Sequence, residues 1–307
     1  MEPQLTHSKG KIWCWRNWET SWNCEGSGNS SNPAIVLIHG FGACKEHWRH
    51  NQTALGNIRT CYAIDLLGFG GSSQPKARLR GDKPEAGDFL YGLDNWGSQI
   101  ADFCNEVVKK PVILIGNSIG GVIALRASQI LKDSCCSVVL IDCAQRTMDD
   151  KRLSTQQNWM KWFRPILKKL VSQRWLSNNL FRNAANKTVI RQVLMKAYPS
   201  GANIDEYLVN LLHTPSQRLG AKEAFRGFIN LFDDHLAPDL MKDLQTPVDM
   251  IWGEKDPWEP LEEAQHWLRS CKCTRSLEII SGAGHCPHDE APEEVNPILL
   301  KLIQQAT

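Results

Sequence analysis

The strongest constraint on the fold is the regular alternation of short apolar runs with segments of helical spacing. Each run has the length and β-branched content of a buried strand. The six runs are residues 34–39, 61–66, 111–116, 137–143, 248–253 and 277–280. Helical spacing follows in residues 95–109, 119–131, 261–269 and 293–304. Strands that alternate with helices predict an α/β protein with a mostly parallel sheet and helices on both faces.

The alternation breaks once, between residues 146 and 235, where helical patterns continue without a strand. An insertion of this length between two sheet strands predicts a separate helical cap. We therefore predict a first core segment at 1–145, the cap at 146–235 and a second core segment at 236–307. Two earlier runs, 11–16 and 20–25, predict antiparallel strands at the edge of the sheet.

Composition narrows the classes of partner. The net charge of +2 gives no bias toward nucleic acid, whereas twelve tryptophans favour contact with an apolar ligand or a membrane. No apolar run approaches the roughly 18 residues of a membrane-spanning helix. The expected partner is a small apolar ester, with peripheral contact to an anionic membrane as a further hypothesis.

The cysteines predict neither disulfides nor a metal site. Their number, eleven, is odd, and residues 1–11 lack the apolar segment of a secretory signal. We therefore expect reduced thiols in a cytoplasmic protein. The pairs Cys135-Cys136 and Cys271-x-Cys273 are candidate ligands, but neither has a partner pair at a zinc spacing, so no metal is predicted.

The pattern GNSIG at residues 116–120 lies between a predicted strand and a predicted helix. It matches G-x-S-x-G, in which a serine nucleophile is held on a sharp strand-to-helix turn. Small neighbours are needed because bulky ones would clash in such a strained turn, and the helix N-terminus favours developing negative charge. Ser118 is therefore the predicted nucleophile. The alternative is an ordinary strand–turn–helix that carries a serine by chance.

The loop HGFG at residues 39–42 ends the first core strand. Acyl transfer requires backbone N–H groups aimed at the oxyanion of the tetrahedral intermediate. We expect these to be the amides of Phe41 and of Ile119, the residue after the nucleophile. His39 is expected to organise the loop by hydrogen bonding, because it precedes the serine whereas a base would follow it in the order nucleophile, acid, base.

The base is predicted at His285, in the loop GAGH that follows the last strand. His288 is the alternative, and it is expected to pack beside the base. Together with Cys286 it suggests a metal site, which no carboxylate-rich segment supports.

Asp256 is the predicted partner of this base. It directly follows the strand at 248–253, and catalytic groups collect at the carboxyl ends of such strands. The carboxylate would hold the tautomer of the imidazole and stabilise the imidazolium. Glu254 in the same loop and Asp142 at the end of the preceding strand remain alternatives.

Taken together, these segments resemble the α/β-hydrolase superfamily over nearly the whole chain. The motifs fall in the family's order and are HGFG (39–42), DLLGFGGSS (65–73), GNSIGG (116–121), GEKDPW (253–258) and GAGHCPHDE (282–290). The resemblance implies a serine esterase that needs no metal or organic cofactor, and a structural role for residues 65–73 at the rim of the site. A dehalogenase of this superfamily would carry an aspartate in place of Ser118.

A narrower resemblance is to the pheophytinase and chlorophyll dephytylase branch of plants and cyanobacteria. It is carried by GNSIGG, by HWR at 47–49 and by residues 284–296. It implies hydrolysis of the phytyl ester of chlorophyll-type pigments, and hence a role in chlorophyll metabolism. Plant members carry a transit peptide that is not seen here, so a cyanobacterial protein, cytoplasmic or peripheral at the thylakoid membrane, is expected. The cap, which sets substrate choice, does not match the branch, so a general carboxylesterase or lipase-like hydrolase remains an alternative.

The cap carries the remaining information on substrate. It holds 15 Lys or Arg against 7 Asp or Glu. Apolar residues from Trp159 to Val171 follow helical spacing, interrupted by Pro165, which predicts one kinked helix or two short ones. We predict that Trp159, Trp162 and Phe163 line the substrate pocket.

Two interpretations of this cap helix are open. Lys161, Arg164 and Lys168 lie opposite its apolar face. In the first, a basic amphipathic element contacts an anionic membrane and opens onto an apolar pocket. In the second, the apolar face packs on the core and the cations are solvated.

Two functions of other classes can use the same fold. A C–C lyase with the same catalytic residues would act on a small anionic substrate and would need arginines that converge on the pocket. A receptor or interaction module would be free to lose one catalytic residue. The aromatic cap disfavours the lyase, and the full set of candidate residues disfavours the receptor.

Overall fold

The computed structural model describes residues 10–26, 32–155 and 158–306. Ten strands lie in this part of the chain. They are β1 (Lys11–Trp15), β2 (Trp18–Glu25), β3 (Ala34–Ile38), β4 (Cys61–Ile64), β5 (Lys76–Arg78), β6 (Asp88–Leu90), β7 (Val112–Asn117), β8 (Cys135–Ile141), β9 (Val248–Gly253) and β10 (Thr274–Ile280). Eight form one sheet in the order β1-β2-β4-β3-β7-β8-β9-β10, and β5 pairs with β6 separately.

The main sheet is antiparallel only at one edge. Strand β2 pairs antiparallel with β1 and β4, and the pairs from β4 to β10 are parallel. Ile38 of β3 pairs with Ile64 of β4 and with Gly116 of β7, so the carboxyl ends of these strands meet at one edge of the sheet. The predicted α/β class and sheet are confirmed. Strands β5 and β6 are not predicted by the sequence, because three residues show no usable periodicity.

Twelve α-helices lie in the described residues. They are α1 (Gln52–Gly56), α2 (Leu93–Phe103), α3 (Ile119–Leu131), α4 (Asn158–Val171), α5 (Arg174–Ala184), α6 (Lys187–Ala197), α7 (Glu206–Ser216), α8 (Ala221–Ile229), α9 (Ala237–Met241), α10 (Leu261–Ser270), α11 (Pro287–Glu290) and α12 (Pro292–Gln305). The four predicted core helices correspond to α2, α3, α10 and α12. A π-helical turn at Cys104–Val108 extends α2.

Apolar residues cover both faces of the sheet. Along β3, Val36 and Ile38 belong to a cluster that includes Val122 of α3. The alternate residues Ile35 and Leu37 belong to a second cluster, on the opposite face, that includes residues of α1 and α12. Because successive residues of a strand point to opposite faces, a fully apolar strand requires helices on both sides.

Between β8 and β9 the chain forms helices α4 to α9, without a strand among the described residues, and α4 to α8 lie within the predicted cap at 146–235. Helix α4 is continuous through Pro165. Its orientation contradicts the second interpretation of the cap. Trp162 and Phe163 are exposed, whereas the guanidinium of Arg164 is buried and paired with Asp150. The ion pair turns the cationic face toward the protein and the apolar face outward.

Candidate active site

Ser118 lies on the turn between β7 and α3. Its backbone has φ 55° and ψ −124°, a strained conformation for a residue with a side chain. The two glycines of the motif, Gly116 and Gly120, have no room for a Cβ atom. A Cβ on Gly116 would lie 2.2 Å from the carbonyl oxygen of Gly120, and one on Gly120 would lie 2.4 Å from that of Ile38. The turn therefore requires glycines where the motif has them, and it holds the serine at the carboxyl edge of the sheet.

The loop that contains Phe41 lies against this serine. A Cβ on Gly40 would be 3.2 Å from the Cβ of Ser118. The buried ring of His39 fixes the loop, because its Nε2 accepts from the amide of Leu66 (3.1 Å) and its Nδ1 contacts the carbonyl oxygen of Gly40 (2.8 Å). Burial lowers the pKa of His39, which keeps the ring neutral. As expected, His39 organises the loop.

Ile119 is the first residue of α3, and Ser118 is the N-cap. Amides in the first turn of a helix have no carbonyl partner within the helix, so they can donate to an oxyanion. The amide of Ile119 is one of these.

His285 and Asp256 are in direct contact. The imidazole Nδ1 lies 2.8 Å from one carboxylate oxygen of Asp256. The other oxygen accepts from the amides of Trp258 (2.8 Å) and Glu259 (3.2 Å). Burial acts to raise the pKa of Asp256, but the hydrogen bond and charge of His285 and the amide of Trp258 outweigh it and hold that pKa below its usual value. The carboxylate is ionised and oriented at neutral pH.

Asn117 joins the base to the turn that carries Ser118. Its side-chain amide donates to the carbonyl oxygens of His285 (3.0 Å) and Ile141 (3.2 Å). The amide of His285 donates in turn to the carbonyl oxygen of Ala197, at the end of α6 (2.8 Å). The backbone at His285 is therefore held from the sheet on one side and from the cap on the other.

An apolar cavity of about 250 Å³ begins at the loop beside Ser118. Phe41, Gly42 and Ala43 line one part of it, and the cap contributes side chains such as Phe181, Ile190 and Phe225. None of its lining residues is charged. The cap side chains come from α5 to α8, so the cavity lies between the core and the insertion.

Two of the three predicted pocket residues lie outside this cavity. Trp162 and Phe163 are exposed on α4 and do not line this cavity. The reason is the inward orientation of Arg164, which turns the opposite face of the helix outward. The side chain of Trp159 lies outside the part that the structure describes. Phe181 and Phe225 supply the aromatic lining instead.

Comparison with known proteins decides the family. The model described as "Alpha/beta hydrolase family" matches residues 35–298, most of the chain. This chain belongs to the alpha/beta hydrolase family.

Individual relatives are distant. Chloroplastic pheophytinase of Arabidopsis thaliana is 27% identical over 304 residues, which cover 89% of this chain and 62% of the relative. The chain thus spans less than two thirds of that relative's length. The (lyso)-N-acylphosphatidylethanolamine lipase of Homo sapiens is 24% identical, with 89% of this chain and 80% of the relative covered. The similarity to pheophytinase supports the narrower resemblance.

The fold is also that of a known serine hydrolase. The crystal structure of the CarC enzyme, involved in carbazole degradation, has a TM-score of 0.74 at 19% identity, with 97% of this chain and 99% of the other covered. At that identity the similarity shows the fold alone.

The two alternative acids of this α/β hydrolase occupy different places. Glu254 is at the surface, where it accepts from the hydroxyl of Ser281 and the amide of Gly282 (both 2.9 Å). Asp142 is fully buried and accepts from the amide of Gly253 at 2.9 Å. Burial raises the pKa of Asp142 well above its usual value, and the charge of Asp256 raises it further. Asp142 is therefore a neutral acid beside an ionised Asp256.

Glu259 was not singled out by any sequence motif. It is mostly buried near His285, and one carboxylate oxygen accepts from the amide of Gln145 (2.8 Å). Burial raises the pKa of Glu259 to about 7. The sequence gives no sign of this burial, because the hydrogen bond to Glu259 comes from Gln145, which is distant in the chain.

A buried ion pair joins two segments that carry the narrower resemblance. Arg49 donates from Nε to one oxygen of Asp289 (2.7 Å) and from its terminal nitrogen to the other (3.2 Å). Tyr198 also donates to this carboxylate (2.9 Å), and its hydroxyl contacts Nε2 of His47 (2.8 Å). The HWR segment therefore anchors the helix that follows His285. No local pattern in either segment indicates this contact, because Arg49 and Asp289 are 240 positions apart.

The histidines of this network are buried and neutral. His288 packs against Trp48 and His47. Burial lowers the pKa of His288 well below its usual value and lowers that of His47 to about 4. His288, the alternative base, is therefore a buried packing residue beside His285, as the sequence predicts.

Acid is expected to destabilise the fold through His47. The unfolded chain binds more protons than the folded one between about pH 6.5 and 4, because the pKa is lowered by folding to about 4. Stability therefore falls as the pH falls through this window, by about 2 kcal/mol at pH 5 from this group. Urea denaturation at pH 7 and pH 5 measures the loss in the free energy of unfolding. In His47→Gln this loss should be smaller by about 2 kcal/mol, because the variant lacks the titrating imidazole.

The exposed His266 gives the matched control for this experiment. His266→Gln should leave the difference between the free energies of unfolding at pH 7 and pH 5 as it is in wild type. An equal pH dependence in wild type and His47→Gln would contradict the assignment.

One group of potential metal ligands is present among the described residues. It consists of Cys44, Glu46 and Asp65. The ammonium of Lys45 lies 2.6 Å from Glu46 and 2.9 Å from Asp65. Asp65 also accepts from the amide of Gly71 (2.9 Å), within the 65–73 loop. The lysine already supplies the positive charge that these carboxylates need, so the group is a structural ion-pair site.

The eleven cysteines are free thiols. In the described part of the chain, no helix combines the length and the apolar content that crossing a bilayer would take.

Proposed function

We propose that this α/β hydrolase is a serine carboxylic-ester hydrolase. Ser118 is the nucleophile, His285 the general base and Asp256 the acid that orients it. The amides of Phe41 and Ile119 form the oxyanion hole. The observation that carries the proposal is the 2.8 Å contact of His285 with Asp256, in a loop tied by Asn117 to the turn of the serine.

The reaction would proceed in two steps. The hydroxyl oxygen of Ser118 attacks the ester carbonyl as His285 takes its proton, and the two amides bind the oxyanion. The alcohol then leaves with the proton from His285, so that an acyl-enzyme remains. Water, deprotonated by His285, attacks the acyl carbon, the bond to the oxygen of Ser118 breaks, and His285 returns its proton to that oxygen as the acid is released. The ionised Asp256 stabilises the imidazolium in both steps.

For the substrate we infer a bulky apolar ester, with the phytyl ester of chlorophyll-type pigments as the best candidate. The apolar cavity at Phe41 and the similarity to pheophytinase support it. A role in chlorophyll metabolism, in a cyanobacterial cell and at the thylakoid membrane, is part of the same proposal. The alternative is a general carboxylesterase or lipase-like hydrolase.

A C–C lyase on the same residues is the alternative of another class. It would need cationic side chains that converge on a small anionic substrate. The cavity beside Phe41 has no charged residue in its lining, which favours the ester.

The test is hydrolysis of chlorophyll a, pheophytin a and a series of p-nitrophenyl esters by the purified protein. Release of phytol from either pigment is expected. Cleavage of short esters alone would leave a general carboxylesterase and contradict the pigment assignment. Absence of ester turnover would favour the lyase.

A pocket variant sharpens this test. Ala184 lines the cavity and is exposed, so Ala184→Trp should narrow the cavity without disturbing the core. We expect kcat/KM for the long ester to fall at least about ten-fold, a loss of about 1.4 kcal/mol, with p-nitrophenyl acetate unaffected. Thr188→Trp, at an exposed position of α6 outside the cavity lining, is the matched control. Equal effects of both variants on the long ester would argue against this cavity as its site.

A further inference from the structure

Helix α4 presents its apolar face to solvent. Trp162 is 85% exposed, Phe163 51% and Ile166 53%, and Trp175 at the start of α5 is 64% exposed. Leu170 is exposed beside them. We name these five residues the outer apolar surface. A soluble protein normally turns such a face inward, so a contiguous exposed patch of this kind indicates a partner.

The outward orientation is held by charge. Arg164, on the opposite face of α4, donates to Asp150 at 2.7 Å, and Lys168 pairs with the same carboxylate. Both cations also lie over the ring of Phe232, at 5.2 and 5.3 Å from its centroid. Rotating the helix to bury its apolar face would expose Phe232 and break both ion pairs. The outer apolar surface is therefore built into the fold.

The surrounding segment is cationic. Between Asp150 and Asp205 the chain contains 11 Lys or Arg and no Asp or Glu. Some of these cations pair with acids from other segments. Lys169, Arg182, Lys187 and Lys196 have no ion pair with an acidic residue within the described ranges. Unneutralised cations on α4 to α6, the segment that also carries the exposed aromatic rings, match an anionic partner with an apolar interior.

The outer apolar surface is continuous with the elements that form the cavity. Helix α5, which carries Trp175 at its start, lines the cavity with Phe181 and Ala184 farther along. Val193 of α6 both lines the cavity and is 46% exposed. The cavity thus reaches the protein surface at Ala184 of α5 and Val193 of α6, and α5 packs against α4.

We propose that the outer apolar surface docks on the surface of an anionic lipid bilayer. This inference rests on the proposed function, because it explains how a bulky apolar ester reaches the cavity. The apolar side chains enter the interface, and the unpaired cations contact the lipid headgroups. A second copy of the chain is a poorer occupant, since it would place two cationic caps face to face.

Sedimentation with vesicles tests the proposal. The full chain should pellet with vesicles that contain phosphatidylglycerol and phosphatidylcholine, and be released by high salt. Trp162→Ser combined with Ile166→Ser should weaken binding at least about ten-fold, because both side chains are exposed and leave the core intact. Ile12→Ser, an exposed apolar residue of β1, should bind as wild type.

The outcomes that overturn the proposal are distinct. Wild type that stays in the supernatant, or the double variant binding as wild type, would refute the docking surface. Equal binding to pure phosphatidylcholine would refute its anionic character. A concentration-dependent dimer that the double variant abolishes, without vesicle binding, would assign the surface to a second copy.

A soluble substrate separates this inference from the proposed function. The double variant should cleave p-nitrophenyl acetate at the wild-type rate, because its substitutions lie outside the catalytic residues. Salt-sensitive vesicle binding without any ester turnover would leave the docking surface standing and refute the esterase.

Discussion

Ser118→Ala should lower kcat for ester hydrolysis by about 10⁴-fold or more, because no other hydroxyl in this geometry can form the acyl-enzyme. The positive φ of Ser118 is retained by alanine at some strain, so the variant should still fold. The measurement is the steady-state rate on the best p-nitrophenyl ester. It is accompanied by labelling with a fluorophosphonate probe, which bonds covalently to an activated serine.

A second serine provides the control. Ser128 is buried farther along α3 and belongs to no part of the proposed mechanism. Ser128→Ala should keep both turnover and labelling. Turnover of Ser118→Ala within ten-fold of wild type, or continued labelling of that variant, would show that the nucleophile lies elsewhere.

Much of this site could be predicted because its signals are local. Gly116 and Gly120 leave a recognisable pattern, since the turn at Ser118 excludes side chains at these positions. Buried strands such as β7 and β9 also leave a local pattern. They appear as continuous apolar runs because helices cover both faces of the sheet. Steric and burial requirements of this kind restrict residues that are close together in the sequence, so a short segment is enough to predict them.

Contacts between distant segments could not be read in the same way. Arg49 meets Asp289 across 240 positions of the chain, and no local pattern connects them. The cavity is similar, because its aromatic side chains come from several helices.

The orientation of α4 shows a different limit. Helical spacing identifies its apolar and cationic faces equally well but does not say which one points inward. Asp150 decides this through its ion pairs with Arg164 and Lys168. The prediction that Trp162 and Phe163 line the pocket fails for this reason.

The second large effect on kcat is expected from replacing Asp256, the proposed carboxylate partner of His285. Asp256→Asn should lower kcat by about 10³- to 10⁴-fold, because the neutral amide cannot stabilise the imidazolium and its nitrogen can hold His285 in the wrong tautomer. KM should change little, since Asp256 contacts the base and not the substrate. The measurement is kcat and KM on the same p-nitrophenyl ester as for Ser118→Ala.

Asp142→Asn is the matched control, and the structure predicts a much smaller loss, within about ten-fold. Two adjacent buried carboxyls do not both ionise, and the raised pKa of Asp142 makes it the neutral member. Asparagine is close in shape to a neutral carboxyl group. Its oxygen can still accept from the amide of Gly253, and its nitrogen can donate to Asp256 as the acid proton would. A loss at Asp142→Asn as large as at Asp256→Asn would mean that Asp142 is the charged partner of the base, and the assignment of the two acids would be reversed.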